Sequence, residues 1–196
     1  VAGTLNLDWV IMLVAPELAG KPDLFLKITE IAASSPPGAN GVTYLPYLSE
    51  SGIIAPVADP TARAQFSGLH AGHNRADIIR SVYEGVAFAL AELVDLLATS
   101  DDIPITLTGG GSRSSLWCQI IADVTRRAIA VPDGFEMGAR GAALLAATSL
   151  GHFDSVVSAS DAMAGRGTRF APAPDAEELW ATPRARYAAR RERLLA

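Results

Sequence analysis

Cysteine is nearly absent. Cys118 stands alone in 196 residues, which excludes an intramolecular disulfide framework and fits a reducing compartment. Histidine is scarce too: His70 and His73 flank Gly72 in what reads as a loop, and no further Cys or His is placed to complete a metal-ligand set. Long apolar runs are missing, none approaching the roughly 18 uninterrupted apolar residues of a membrane span. Positive charge is outnumbered: 16 Lys and Arg against 21 Asp and Glu leave a formal net charge of -5, which excludes an electrostatic footprint for nucleic acid. The densest basic stretch, Arg184 to Arg193, is broken by Ala188, Ala189 and Glu192 and reads as the solvated face of a terminal helix. The first residues lack the basic region of a secretory leader and start at Val1 rather than methionine, so a cytoplasmic chain whose front is missing is expected.

What is present is apolar and periodic. Hydrophobic residues make up 49% of the chain, enough for one buried core, and no internal repeat or linker divides it. Leu5 to Val14 reads as a helix starting near Thr4 or Asn6 and stopping near Gly20, with Gly3-Thr4 as its cap rather than a phosphate loop. A second helix spans Asp23 to Ala33, ended by Ser34-Ser35-Pro36-Pro37-Gly38. Val42 to Leu48 predicts an edge strand carrying Pro46, Ser49 to Ala62 a loop with Glu50 and Asp59 as solvated acids, and Ala64 to Leu69 a short strand. Asn74 or Asp77 opens a long helix to about Ala98, in which Arg80 and Glu84 are spaced as an ion pair.

After a polar turn at Thr99 to Asp102 comes the most informative stretch. The β-branched run Ile103 to Thr108 stops at Gly109-Gly110-Gly111, and a helical pattern begins at Leu116 and runs to about Arg127, with Ser112 or Ser114 as N-cap. Consecutive glycines admit positive φ and keep side chains away from a ligand, and a helix N-terminus favours an anionic or polar group. The same turn also serves packing alone, and the sequence leaves both readings open. Leu116, Trp117, Ile120, Ile121 and Val124 are expected to face inward, with Cys118 in the core. Ala128 to Val131 predicts the next strand. A helix rich in small residues then runs from Gly138 to Leu150, capped by Gly151. From His152 to Ala173 the pattern is loose, with a short helix near Asp161 to Ala164; a last helix starts near Asp175 and is interrupted by Pro183.

Three segments carry a resemblance. Ala64-Gln65-Phe66-Ser67-Gly68-Leu69 followed by Asp77-Ile78 and Ser81-Val82-Tyr83-Glu84 resembles the second signature of the FGGY carbohydrate kinases, the family of xylulokinase, ribulokinase and glycerol kinase. Gly109 to Trp117 with Gln119 and Ala122-Asp123 resembles the family's adenosine motif, and Glu136 with Ala139, Gly141, Ala142 and Ala143 resembles the segment that follows it. Tyr44-Leu45-Pro46-Tyr47-Leu48 matches in kind, and the segments occur in family order from Leu7 to Gly151.

The resemblance implies an α/β chain with part of the second domain of the actin-like ATPase (ribonuclease H-like) fold, acting in ATP-dependent phosphorylation of a sugar or polyol hydroxyl with Mg²⁺. It implies that residues 1 to 196 are the nucleotide half of the C-terminal domain. Gly109, Gly110 and Gly111 would lie against the adenosine and α-phosphate, Ser114 would meet the adenine, and the helix from Gly138 would wall the pocket; the helix bearing Glu84 would be structural. The family's catalytic aspartate, phosphate loops and most sugar contacts lie upstream of Val1, so no catalytic or metal residue is assigned here and the N-terminal kinase domain is the expected partner, with homo-oligomerisation open. Ile53-Ile54 stands where many relatives carry Glu-Arg. The other reading is a non-catalytic nucleotide-binding or regulatory module derived from a kinase. A dinucleotide site fits less well, since Gly109-x-Gly111-x-x-Ser114 lacks the third glycine.

Overall fold

The computed structural model describes residues 3–53, 55, 58–97, 103–134, 137–162 and 167–195. The expectations for Ile54, Thr99 to Asp102 and Glu136 fall outside them.

The Asn74 side chain accepts the Ala76 amide at 2.7 Å, and the Asp77 carboxylate accepts the Asn74 amide at 3.0 Å. This capping box starts helix α3 (Arg75–Leu96) one residue after the predicted cap. Ile79, Val82, Tyr83 and Ala87 along it are fully buried, because α1 (Gly3–Val14), α2 (Leu24–Ala33) and α4 (Ser115–Thr125) all pack against it. Strand β1 (Thr43–Leu45) crosses the same helix. A Cβ on Gly85 would stand 2.2 Å from the Tyr44 carbonyl oxygen, so only glycine allows this approach. β1 pairs antiparallel with β2 (Gln65–Ser67), placing Tyr44 opposite Phe66.

The second sheet has the order β3-β4-β5. β3 (Ile105–Thr106) and β4 (Ile129–Val131) are parallel and joined through α4, as a strand–helix–strand crossover requires. β5 (Thr168–Phe170) runs antiparallel along β4. Helices α5 (Met137–Ser149), α6 (Val156–Ala162) and α7 (Ala176–Leu195) complete the described chain. No helix among the described residues is long and apolar enough to cross a membrane.

Three expectations need correction. The segment from His152 to Ala173 is more ordered than its pattern: the short helix, α6, begins earlier than expected, at Val156, and takes in Asp161 and Ala162, the rest of that expectation falls outside the described residues, and β5 follows. Only one residue of β5 is even half-buried, so no apolar alternation announces it and the pairing comes from β4. Pro183 does not interrupt the last helix. Its ring is buried over Gly38, where a side chain would come within 3.0 Å of the proline Cγ, so burial offsets the missing helical hydrogen bond. The arginines of α7 are not all free in solvent: Arg184 pairs with Asp95 at 2.5 Å, Arg191 with Glu92 at 3.2 Å, and Arg186 donates to the Gly38 carbonyl at 3.0 Å.

Candidate functional site

The run of three glycines follows β3 after Leu107 and Thr108 and leads into a tight 3-10 turn, Gly110–Arg113, before α4 begins. Gly109 adopts φ 85, a left-handed value that costs glycine nothing. Ser112 closes the turn by donating its hydroxyl to the Gly109 carbonyl at 2.7 Å. Of the two cap candidates, Ser114 is the one used: its hydroxyl oxygen accepts the Trp117 amide at 3.2 Å and the Thr29 hydroxyl at 2.9 Å.

The turn borders a cavity of about 370 Å³. Leu107 and Thr108 lead into it, the three glycines form its rim, Val86 and Leu90 of α3 and Trp117 and Ile121 of α4 form its apolar wall, and Gly3 and Thr4 of α1 close the far side. Gly110 comes so near Thr4 that a Cβ there would be 3.4 Å from the threonine methyl. The structure therefore brings together Gly3-Thr4 and Gly109 to Gly111, 105 or more residues apart in sequence, which the sequence reading had kept separate. A Gly-Thr pair with no described strand before it gives no local signal of this; only the packing of α1 on α3 supplies it.

Ser114 is not on the cavity wall. It is 3% exposed, and its hydroxyl oxygen accepts from Trp117 and Thr29. The small-residue helix is also elsewhere: Met137, Arg140, Gly141 and Leu144 of α5 line a different cavity of about 590 Å³, against Pro104, Val131 and Thr168.

The remaining candidates resolve as structure. Cys118 is fully buried, and burial pushes its thiol up to about 11, which removes it as a nucleophile at neutral pH. Asp59 accepts the Thr61 amide at 2.8 Å and the Thr61 hydroxyl at 2.7 Å, and these bonds hold its carboxyl below the usual range. Glu84 is 2% exposed and bonds Arg80 Nε at 2.8 Å and the Gly38 amide at 2.9 Å. Burial outweighs both bonds and pushes its carboxyl up to about 6. His73 bonds the Asn40 carbonyl at 3.1 Å and accepts the His70 amide at 3.0 Å, a loop arrangement. Ile53 forms an isolated bridge with Asp59. Among the described residues no group of three or more His, Cys, Asp or Glu could hold a metal ion.

Comparison with known proteins follows the same outline. Residues 1–150 match the model of the FGGY family of carbohydrate kinases, C-terminal domain. The chain is 34% identical over 158 residues to a gluconokinase of Bacillus subtilis, covering 79% of this chain and 30% of that protein. It is 36% identical over 143 residues to a xylulose kinase of Escherichia coli, covering 71% and 28% respectively. The crystal structure of ligand-bound xylulose kinase from Lactobacillus acidophilus superposes with a TM-score of 0.82 at 26% identity, over 98% of this chain and 38% of that one. The chain thus spans about a third of the length of the relatives it matches, and its fold is a part of the actin-like ATPase fold.

Proposed function

The chain belongs to the FGGY family of carbohydrate kinases, and from that premise we propose that it supplies the adenosine half-site for ATP-dependent phosphorylation of a sugar or polyol hydroxyl. The observation that carries the reading is the glycine turn at the mouth of the apolar cavity. A nucleoside needs an apolar slot for its base and a rim without side chains where sugar and α-phosphate pass close to backbone. Gly109, Gly110 and Gly111 form that rim, Val86, Leu90 and Ile121 the slot, and the first turn of α1 at Gly3-Thr4 the side on which phosphate would extend. Ser114 serves from behind, fixing the start of α4.

In the reaction proposed, the acceptor hydroxyl oxygen forms a bond to the γ-phosphorus of ATP, the bond from that phosphorus to the β,γ-bridging oxygen breaks, ADP leaves, and the hydroxyl proton passes to a carboxylate base. Phosphoryl transfer rests on positioning and charge stabilisation, and this chain's share is positioning. The base, the sugar contacts and any protein ligand to Mg²⁺ are assigned to a partner segment, the remainder of a two-domain kinase, a reading supported by the chain spanning about a third of the length of its relatives. Residues 1 to 196 are accordingly read as the nucleotide half of the C-terminal domain. Among relatives, gluconokinase and xylulose kinase act on different sugars, so the acceptor is assigned only as a sugar or polyol.

The test is calorimetric titration of the 196-residue chain with ATP, then assay of ADP release after joining it to a family N-terminal region, with gluconate, xylulose and polyols as acceptors. Weak ATP binding without turnover by the chain alone, and turnover by the joined protein, are expected. Turnover by the chain alone, or no ATP binding by either form, overturns the reading.

A further inference from the structure

Beside the glycine turn lies a stacked pair of aromatic rings, of which Trp117 lines the cavity and Tyr83 does not. The Tyr83 ring on α3 and the Trp117 ring on α4 lie 4.9 Å apart at 17°. Both are buried, Tyr83 completely and Trp117 to 3%. The Trp117 indole N–H donates to the Tyr83 carbonyl at 3.0 Å, so stack and hydrogen bond tie the same two residues. At its backbone Trp117 is held by Ser114, whose oxygen also receives the Thr29 hydroxyl from α2. Three helices thus converge on one indole.

That indole is in contact with the turn itself. A Cβ on Gly111 would sit 3.1 Å from Trp117 Cζ3, and one on Gly3 would sit 3.7 Å from Cη2, the next atom of the same ring. One edge of the Trp117 ring therefore lies beside both Gly111 of the turn and Gly3 of α1. The Tyr83 hydroxyl faces Thr29 and Ser114, which are hydrogen-bonded to each other at 2.9 Å, while the Tyr83 ring makes the stacking contact with the indole.

We propose that Tyr83 and Trp117, locked to Ser114 and Thr29, form a bracket that positions the Gly109 to Gly111 turn for the nucleotide; this rests on the half-site reading above. Tyr83 is a positioning residue: it acts through Trp117 and does not line the cavity. Losing the stack frees the indole to tilt, and the turn follows it.

The experiment compares wild type with Tyr83→Phe and Tyr83→Leu in two measurements, amide hydrogen exchange and ATP affinity by calorimetry. Exchange at Gly109 to Ser114 is read as a ratio to exchange at Ile129 to Val131, which cancels any change in global stability. Tyr83→Leu is expected to raise that ratio and weaken ATP binding, each about tenfold, the upper end of what a stacked aromatic pair contributes. Tyr83→Phe is expected to stay within about twofold of wild type in both. Should Tyr83→Leu fail to fold, Tyr83→Met, which also removes the stacked ring and leaves the cavity wall intact, is measured in its place with the same expected direction. Turn protection that falls only in step with β4 overturns the bracket, as does Tyr83→Phe behaving like Tyr83→Leu, or a loosened turn that leaves a measurable ATP affinity unchanged. Wild type that binds no ATP overturns the half-site reading instead, and the exchange ratio alone then decides whether the bracket supports the turn.

Discussion

Helix α5 buries one side chain, Leu144, along Met137–Ser149, whereas α7 buries Ala176, Trp180, Pro183 and Tyr187 along Ala176–Leu195. The first is made largely of alanine, glycine and leucine, whereas the second carries three glutamates and five arginines. α5 packs chiefly on α6, a helix with a single buried residue, Ala159, and leaves Leu145 exposed. α7 meets α4, β1 and α3, sets Trp180 edge-on against Phe88 at 5.9 Å, and donates the Trp180 indole N–H to buried Asp123 at 3.3 Å. A few large anchors with fixed partners therefore integrate a helix more firmly than mean apolarity does. Small residues bury little area each, about 25 cal/mol per Å², and have little to lose by staying in water.

The contrast can be broken or sharpened by substitution. Trp180→Ala should cost the most, about 3–5 kcal/mol in urea denaturation, since it removes a buried ring and leaves Asp123 short of a donor. Leu144→Ala should cost about 2 kcal/mol, the low end for leucine, because this side chain borders an open cavity that can relax; an equal loss in the two variants would erase the distinction. Within the firm body, Glu84 predicts a pH signature. Its carboxyl is raised by burial to about 6 from 4.5, so the folded state holds the proton more tightly than the unfolded chain. The sign follows: this group's contribution is greatest below pH 4.5, declines as pH rises to 6, and is flat above, a span on the order of 2 kcal/mol. Glu84→Gln should abolish that slope in a series of denaturation curves, and an unchanged slope would refute the assignment. Ser114→Ala should cost about 1 kcal/mol as a lost helix cap, measured in the same way. Leu145→Ser, on the exposed face of α5, should shift stability by under about 0.5 kcal/mol.

Most of the frame was legible in residue order because its signals are local. The Asn74 cap, the apolar stripe of α3 at Ile79, Val82 and Val86, the strand–glycine–helix passage at Gly109 and the cap at Gly151 each depend on near neighbours along the chain. What escaped was decided by distant partners. β5 needs β4 to exist, Pro183 is tolerated only because Gly38 lies beneath it, and Arg184, Arg186 and Arg191 find acids and a carbonyl that their own helix does not contain. The candidate site divides the same way. The three glycines were visible as a motif, but their meeting with Gly3-Thr4 and the burial of Ser114 against Thr29 arise from how α1, α2 and α4 settle around α3, and α5 borders another cavity with α6 and the second sheet.

The fastening of α7 to the Gly38 turn bears on how the chain can be cut. The family match ends at residue 150, yet Pro183 and Arg186 close over Gly38, and the Tyr187 hydroxyl lies 3.3 Å from that of Tyr47. A hybrid assembled at Gly151 from two relatives would set one parent's latch against the other's keeper. Residues 36 to 47 and 180 to 187 should be exchanged as a pair, or both left in place.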